Sequence, residues 1–594
     1  MPAQTQTGAE NIHWDLSHLY HGEEDPGLSR DLEEVDKRAE AFAQDYKGRI
    51  AGLSARRMHE LLQELEAIYD LEGRASTFAY LAWSTHTQLP SRGALLQRAS
   101  EHSSRLHQKL LFAELEWAAA AEEQAGALLS SPELAHYRHW LELVRRYRPH
   151  LLSEPEEKVL AEKSVTGRSA WVRYFEELHS SALYELDGQR LPQQSVLTRL
   201  YDPDREVRRR AARAMSEGLK GLERSSTFIF NTLLADKSSD DRLRHYPSWI
   251  AARNLDNQID DATVEALIGA VTSRYDLVSR YYGLKKKLLD LPELRDYDRY
   301  APLPRAGRQL GWQEAREIVL SSYAQFHPRM AEIAGVFFDS RWIDAAVSEG
   351  KRGGAFSHGA VPSAHPYVFL NYEGSPRHVM TLAHELGHGV HQFLARKQGI
   401  LAADTPLTTA ETASVFGEML VFHNLLEREQ DTRARLALLV QKIEESFATV
   451  FRQVAMNRFE QAVHTERREK GELAPERFGQ LWLETQRAMF RDSVTLTEDY
   501  GLWWSYVSHF MHTPGYVYAY AFGELLVLAL YARYRKAGPS FADRYLAMLE
   551  AGGSDWPEAL VAPLGVDLKD PRFWHEGLEI LEGMVAQAEQ MAHA

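Results

Sequence analysis

The segment HELGH, residues 384–388, contains the residues whose types and spacing could do metal chemistry. On a helix, His384 and His388 lie one turn apart on the same face, so both imidazoles can bind one ion. Glu385 is rotated by about 100° from His384, so its carboxylate can reach a water at the ion without being a ligand. The spacing predicts a zinc site with a general base beside it, an arrangement suited to hydrolysis.

A surface helix that is merely rich in histidine is the competing interpretation, and the neighbouring residues argue against it. The stretch TLAHELGHGVH has Glu385 as its one acidic residue and no Lys or Arg, which predicts a helix buried on more than one side. Gly387 and Gly389 each cost about 1 kcal/mol relative to alanine inside a helix, so we expect another element to pack closely there. His391 follows the motif, but a three-histidine zinc pattern requires Gly at 391 and His at 394, where this chain has His and Leu.

The third ligand must be His, Asp or Glu, because the chain has no cysteine. Candidates downstream are Asp404, Glu411 and Glu418. Glu411 and Glu418 are seven positions apart, two turns along one face of a predicted apolar helix. Buried carboxylates without partners are costly, so a cation explains the pair, with Glu411 as ligand and Glu418 holding a ligand histidine. The alternative is that Glu411 and Glu418 are partly exposed acidic residues on a helix and bind no cation.

The elements that must position these side chains are mostly helical. Ser375 and Pro376 predict the start of the histidine helix, and Gly399 predicts its end. The segment 337–374 consists of short apolar stretches that are rich in aromatic residues and separated by glycines, which predicts strands. Asp187 and Gly188 indicate a small hairpin. The expected fold is mainly α, with a small β-sheet just before the histidine helix.

A second segment with chemical potential is 512–538, HTPGYVYAYAFGELLVLALYARYRKAG. Its length, its Thr-Pro start and Gly538 at its end predict a helix. On that helix Tyr516 and Tyr520 share a face, whereas Tyr518 points elsewhere. A tyrosine hydroxyl aimed at a developing oxyanion would complement a metal. Packing in a core helix is the alternative for any one of the three.

The stretch PYVFLNYEG, residues 366–374, has a further possible role. A strand at the edge of the sheet could pair with the backbone of an extended peptide. Gly374 would then allow the peptide to approach closely, or it could simply be a turn glycine.

Composition narrows the class of protein. With 594 residues, two or more subdomains are expected. A formal net charge of −16 repels phosphate backbones and argues against a nucleic-acid partner. No apolar run approaches the length of a membrane span, and the start has no basic region followed by an apolar one. We therefore expect no membrane partner and a cytoplasmic location.

These motifs carry a family resemblance. HELGHGVH followed by TAETASVFGE resembles the thimet oligopeptidase family of zinc metallopeptidases, and most closely its oligoendopeptidase F branch. The resemblance extends over nearly the whole chain. Its other segments are NIHWDLSHLY, GGAFSHG, YVFLNYEGSPRHVMTLAHELGH, HFMHTPGYVYAYAFGELL and YLAMLEAGGSDWPEALVAPLGVDLKDPRFWHEGL.

The resemblance implies one Zn²⁺ held by His384, His388 and Glu411, with Glu385 as the general base that acts on a zinc-activated water. It implies short peptides as substrates, cut at internal bonds. It also implies a mostly helical, two-lobed fold around a deep central channel. We expect residues 1–195 to form an N-terminal helical domain, a lid or channel wall. Residues 196–594 would then form the catalytic domain.

The tyrosine segment, by the same resemblance, supplies a transition-state tyrosine and a nearby histidine. Tyr520 is the candidate for the oxyanion, with Tyr516 and His509 contacting the substrate or the oxyanion. His512 competes with His509 for the histidine role.

Two other functions stay open from the sequence. A metallo-exopeptidase, either a dipeptidase or a carboxypeptidase, would need a site for a free terminus, and Arg377 on the histidine helix could supply it. The other open function is that of a non-catalytic helical protein that binds peptides or stores metal. The sequence leaves the oligomeric state undetermined.

Overall fold

The computed structural model describes residues 6–303 and 309–593. Helices account for 73% of the structure and the sheets are small, which confirms the mainly α fold expected from the sequence. Within the described residues, no helix combines the length and the apolar character needed to cross a membrane.

The α-helices fall on both sides of the undescribed residues 304–308. Those before them are α1 (Pro26–Tyr46), α2 (Ala55–Thr85), α3 (Pro90–Leu110), α4 (Phe112–Ala119), α5 (Glu122–Leu129), α6 (Arg138–Arg146), α7 (Glu154–Ser164), α8 (Arg168–Ser181), α9 (Gln193–Thr198), α10 (Arg205–Leu243), α11 (Ala251–Asp256), α12 (Asp261–Ser273) and α13 (Tyr275–Leu288). Those after them are α14 (Trp312–Phe326), α15 (Pro328–Asp339), α16 (Pro376–Ala395), α17 (Leu407–Ala410), α18 (Thr412–Arg428), α19 (Thr432–Thr449), α20 (Phe451–Lys470), α21 (Pro475–Phe490), α22 (His509–His512), α23 (Tyr518–Ala537), α24 (Pro539–Ala551), α25 (Pro557–Val561) and α26 (Pro571–His593).

The chain folds into two compact units, each assembled from three separate segments. Unit 1 comprises the described parts of Met1–Arg148, Gly307–Arg428 and Arg533–Val566. Unit 2 comprises the described parts of Pro149–Ala306, Glu429–Ala532 and Asp567–Ala594. The expected boundary between residues 195 and 196 divides the chain by role, and it stays a prediction.

Two small sheets are present in the described residues. The strands are β1 (Leu183–Leu186), β2 (Gln189–Pro192), β3 (Ile343–Asp344), β4 (Phe356–His358) and β5 (Tyr367–Phe369). β1 and β2 form the antiparallel hairpin predicted around Asp187 and Gly188, and both turn residues have positive φ angles of 52° and 76°. The second sheet has the order β3-β5-β4 and precedes α16, as the sequence predicts.

The expectation that residues 366–374 form a sheet edge is wrong. β5 lies in the middle of its sheet, parallel to β3 on one side and antiparallel to β4 on the other. All three of its residues are buried. The edge next to it is β4, whose residues are partly exposed. The hydrophobic content of β5 reflects burial on both faces, which periodicity alone does not distinguish from a half-buried edge.

Aromatic side chains form much of the core in both units. In unit 1 the sheet packs against the N-terminal segment, with the Trp14 and Phe369 rings 5.6 Å apart and the Phe356 and Phe369 rings 4.8 Å apart. In unit 2 the long helix α10 contributes Phe230, whose ring lies 5.5 Å from that of Trp504. Each unit therefore has a core of its own that can hold site residues rigidly.

Helix α16 begins as the sequence predicts. The Ser375 hydroxyl accepts a hydrogen bond from the His378 N–H at 3.3 Å, and Pro376 occupies the first helical position. The helix ends earlier than expected, at Ala395, and a 3-10 turn over Arg396–Gln398 leads to Gly399, with φ of 79°. Gly399 ends the turn because its positive φ angle is not compatible with a right-handed helix.

Candidate active site

Helices α16 and α18 of unit 1 touch at a glycine. A Cβ atom added to Gly387 would lie 2.4 Å from the carbonyl oxygen of Ala413 and 2.6 Å from the Cα atom of Ser414. Gly389 packs against a different neighbour, because a Cβ atom added to it would lie 2.7 Å from the Phe337 ring. The close packing predicted from the two glycines is therefore confirmed, and it brings the start of α18 against the histidine face of α16.

Three side chains converge at this contact. His384 Nε2 and His388 Nε2 each lie 3.4 Å from the same oxygen, Oε2 of Glu411. One donor atom from each of the three residues lies within 4.8 Å of the other two, and this is the group that the described residues offer for a metal ion.

The spacing of these atoms fits zinc. A tetrahedral zinc ion with bonds of about 2.0–2.1 Å has ligand atoms roughly 3.3–3.4 Å apart. The two nitrogen–oxygen separations of 3.4 Å match that edge length. Two imidazoles and a carboxylate are also a donor set that zinc accepts in catalytic sites, where a fourth position stays open.

Glu411 lies at a junction between helices and not on the body of one. It follows the short helix α17 and immediately precedes Thr412, the first residue of α18. The expected placement of Glu411 and Glu418 two turns apart on one helix is therefore wrong for Glu411. The Ser414 hydroxyl donates to Glu411 Oε2 at 2.7 Å. A carboxylate before a helix is favoured by the unpaired N–H groups of the first turn.

The charges around Glu411 hold it ionised. Burial acts to raise the pKa of its carboxyl, but the hydrogen bond and charge of His388, the charge of His384 and the Ser414 hydroxyl outweigh it. Together they lower the pKa of Glu411 to about 2. The residue is therefore an anion whenever a metal could bind.

Glu418, on α18, holds the other nitrogen of His384. Its Oε2 atom lies 3.2 Å from His384 Nδ1. Burial acts to lower the pKa of His384, yet the hydrogen bond to Glu418 and the charges of Glu411 and Glu418 raise it to about 9. The two carboxylates thus favour a positive charge between them, which a divalent cation supplies. The bond to Nδ1 also directs Nε2 towards Glu411.

Glu385 is buried, with 7% of its surface exposed. Burial raises the pKa of its carboxyl, and the charges of His384 and His388 act in the opposite direction. The backbone of Ser357, on the edge strand β4, acts in the same direction as the two histidines. Glu385 therefore lies next to the two histidines in sequence, buried and outside the group of three that could bind a metal.

Tyr323, which the sequence analysis does not predict as a site residue, connects a third helix to the site. The Tyr323 hydroxyl of α14 donates to the carbonyl oxygen of Ala383 at 2.5 Å. A Cβ atom on Gly417 of α18 would lie 2.4 Å from the same hydroxyl. Tyr323 therefore contacts both α16 and α18 next to the histidines. The small residue at 417 is the one sequence signal that could have indicated it.

Two other residues considered as ligands take different places. His391 is buried, and burial followed by the charge of His388 lowers the pKa of its imidazole to about 3. Asp404 is also taken out of water, which raises the pKa of its carboxyl. Neither belongs to the group of described residues that could hold a metal.

Unit 2 contains a separate cluster of His509, Tyr516 and Tyr520. His509 Nε2 lies 3.2 Å from the Tyr520 hydroxyl. The His509 and Tyr516 rings are stacked with their centroids 5.7 Å apart, and the Tyr516 and Tyr520 rings meet edge-on at 5.1 Å. Burial and the charge of His512 lower the pKa of His509, which favours the neutral form of its imidazole. Tyr516 and Tyr520 are partly exposed, so a ligand can reach them.

His512 is directed elsewhere, with its Nε2 atom 3.3 Å from Oε1 of Glu176. Of the two histidines left open by the sequence, His509 is the one in contact with Tyr520. Helix α23 starts at Tyr518, later than the predicted Thr-Pro start, because residues 513–516 form a turn. Tyr518 points away from the other two tyrosines, as expected, and is fully buried.

Gly374 makes contacts typical of a turn glycine. Its φ angle is 82°, and an added Cβ atom would lie 3.2 Å from both the Leu310 carbonyl oxygen and the Thr7 side chain. The Leu310 N–H donates to its carbonyl oxygen at 2.8 Å. These contacts explain the glycine without a ligand, and its role in substrate binding stays a prediction.

Residues 198–580 match Peptidase family M3, and residues 116–182 match the family described as Oligopeptidase F. Oligopeptidase PepF of Bacillus subtilis is 28% identical over 99% of this chain and 89% of its own length. A crystal structure of a Chlamydophila abortus protein superimposes with a TM-score of 0.88 at 24% identity, covering 98% of each chain.

Oligoendopeptidase-F from Enterococcus faecium has the same fold, with a TM-score of 0.69 at 22% identity over 95% of this chain and 97% of that one. The first match spans more than half of the chain and includes the whole metal-binding group. The resemblance inferred from the sequence motifs is confirmed: the chain belongs to peptidase family M3, the metallopeptidase family that includes the oligoendopeptidase F branch.

Proposed function

We propose that the protein cleaves internal bonds of short oligopeptides, with one zinc ion held by His384, His388 and Glu411 and with Glu385 as the general base. The observation that carries this proposal is the position of Glu411 Oε2, 3.4 Å from the Nε2 atom of each histidine. Nitrogen and oxygen ligands in that arrangement leave one position for water or substrate.

The chemistry divides between the metal and the chain. When bound, zinc lowers the pKa of a water to about 7 and polarises the scissile carbonyl. Glu385 takes a proton from the attacking water and passes it to the leaving amine. Its burial suits this role, because a raised carboxyl pKa makes it a better base and a competent acid in turn. Glu418 keeps His384 in the orientation and tautomer needed for binding.

Tyr520 is proposed to donate to the oxyanion that forms on the peptide carbonyl, with His509 and Tyr516 contacting the substrate. The neutral His509 supports this assignment. With its proton on Nε2, the imidazole would donate to the Tyr520 oxygen, so this contact would not use the hydroxyl proton that the oxyanion requires. Gly374 is also proposed to contact the substrate. Residues 1–195 are proposed to cover the site of a catalytic domain spanning 196–594.

The test is cleavage of an internally quenched peptide that is blocked at both ends, by the wild type and by Glu385→Gln. We expect the wild type to cleave it and a chelator to abolish cleavage. Glu385→Gln should lower kcat by about 10²- to 10⁴-fold while binding zinc normally. Glu427→Gln, which changes an exposed acid on α18, is the matched control and should behave as wild type.

Each alternative has its own outcome in this experiment. Failure to cut the blocked peptide, with release of terminal residues from a free one, would identify an exopeptidase. Full cleavage by Glu385→Gln would remove that residue from the role of base. Efficient digestion of a folded protein would contradict the restriction to short peptides. A cytoplasmic location stays a prediction from the sequence.

A further inference from the structure

The turn before helix α23 determines where the tyrosines of unit 2 lie. The Tyr516 N–H donates to the Thr513 carbonyl oxygen at 3.1 Å, and Gly515 has a φ angle of 74°. Pro514 at the second position and a glycine with positive φ at the third define a type II turn. The turn joins α22, which carries His509, to α23, which carries Tyr520. The geometry of the turn therefore sets the contact between these two side chains.

One buried carboxyl group holds this turn. Glu460 of α20 is 1% exposed, and its Oε1 atom accepts a hydrogen bond from the Gly515 N–H at 2.8 Å. Gly515 is itself buried, so its N–H needs a partner within the protein. An added Cβ atom there would lie 3.2 Å from Ile250, which leaves the glycine little room to move.

The carboxyl group of Glu460 is suited to hold the turn in its protonated, uncharged form. Its other oxygen, Oε2, has no hydrogen-bond partner among the described residues. Burial raises the pKa of the carboxyl to about 8, against the Gly515 bond and the charge of Arg253. At neutral pH the group is a neutral acid, which avoids the cost of a buried charge and still accepts the N–H bond.

A second anchor holds the other end of the segment. The Tyr518 hydroxyl donates to Asn254 Oδ1 and accepts from Asn257 Nδ2, both at 2.8 Å. All three residues are buried, with at most 2% of each exposed. Asn254 is in turn bound to Asp261 of α12 at 2.6 Å. Tyr516 lies between the two anchors, and Tyr520 follows half a turn of helix after the second.

We infer that Glu460 and Tyr518 are positioning residues that hold Tyr516 and Tyr520 in the geometry needed for peptide hydrolysis. This inference rests on the function proposed above for the tyrosine cluster. Neither residue touches substrate in this assignment. Glu460 acts on the segment 513–518 from α20, and Tyr518, the first residue of α23, ties the end of that segment to Asn254 of α11.

The first experiment needs no catalysis. 3-Fluorotyrosine is placed at position 516 in the full-length, zinc-loaded protein, and its ¹⁹F resonance is recorded for three variants. Glu460→Gln keeps the acceptor oxygen and should give the wild-type line. Glu460→Leu removes the acceptor and should shift or broaden it. Glu469→Gln, an exposed acid of the same helix, is the control. An unchanged line in a folded Glu460→Leu protein overturns the anchor.

The second experiment separates kcat from KM with the end-blocked peptide. We expect Glu460→Leu to lower kcat by about 10- to 100-fold, since a small misplacement of catalytic groups is costly, while KM changes little. Glu460→Gln should restore kcat to within about twofold of the wild type. Tyr518→Phe removes one hydroxyl without changing shape, and it decides the question if Glu460→Leu does not fold. Wild-type kcat in Tyr518→Phe overturns that anchor.

The double variant with Tyr520→Phe distinguishes positioning from general destabilisation. If Glu460 acts through Tyr520, Glu460→Leu should cost less than about threefold further in that background. Independent, multiplicative losses would overturn the inference. If Tyr520→Phe alone retains full kcat, the role proposed for Tyr520 fails, and the ¹⁹F line still decides whether Glu460 holds the turn.

Discussion

Gly387 and Ala413 lie in such close contact that a methyl group at position 387 would be 2.4 Å from the Ala413 carbonyl oxygen. The two residues belong to different helices, and Glu411 is two residues before Ala413. The distance between the helices therefore also sets the distance between Glu411 and the two histidines.

Gly387→Ala should weaken zinc binding, because α18 must move away from α16 and carry Glu411 with it. We expect a loss of about 1–3 kcal/mol in unfolding free energy from the overpacking. Zinc affinity, measured by competition with a coloured chelator, should fall at least about tenfold. Gly335→Ala is the matched control, since that helical glycine has open space around its Cβ position. Wild-type affinity in Gly387→Ala would contradict the prediction.

Glu418→Gln should reduce zinc affinity without removing a ligand. The amide cannot stabilise the His384 imidazole as a carboxylate does, so we expect affinity to fall by about 10- to 100-fold. The measurement is the same chelator competition, with Glu427→Gln as an exposed control on the same helix. Equal affinities for the two variants would show that the contact at 3.2 Å has no part in zinc binding.

Tyr520→Phe tests the proposed oxyanion donor. We expect kcat to fall by about 10²- to 10³-fold, the usual effect of removing one such donor, with zinc content unchanged. Tyr174→Phe, at a tyrosine of α8 with 46% of its surface exposed, should keep wild-type kinetics. A rise in KM alone would assign the Tyr520 hydroxyl to substrate binding in the ground state.

Glu460 should make stability depend on pH. Its pKa is raised to about 8 in the folded protein, from an ordinary value of 4.5. The folded state therefore holds a proton that the unfolded state has released, and the stabilisation is lost as the pH rises from the lower value to the higher. Between pH 5 and 8 the unfolding free energy of the wild type should fall by a few kcal/mol more than that of Glu460→Gln. The measurement is urea unfolding of both proteins at pH 5 and at pH 8. An equal change in unfolding free energy for the wild type and Glu460→Gln would contradict the prediction.

Local signals predicted the parts of the site that a single helix determines. The pair His384 and His388, the cap at Ser375 and the close packing at Gly387 all follow from spacing and residue type along α16. They could be read from the sequence because helix geometry fixes neighbours at three and four positions.

Features that depend on how elements meet were harder to predict. The seven-residue spacing to Glu418 predicts Glu411 on the body of a helix, but α17 ends just before it and α18 starts just after it. β5 was expected at an edge, and its second partner, β3, comes from more than 20 positions earlier in the chain. Tyr323 reaches the site from α14 through one hydroxyl. None of these contacts leaves a periodic signal in its own segment.

The bond from Tyr323 to Ala383 has a consequence for the metal-free protein. That hydroxyl and the tight glycine contacts join α14, α16 and α18, the elements next to which the two histidines and Glu411 lie. We therefore expect the chain to keep its fold without zinc, unlike small domains that fold only around their metal. Chelation should switch activity off and leave the helices intact, and adding zinc back should restore turnover without a refolding step.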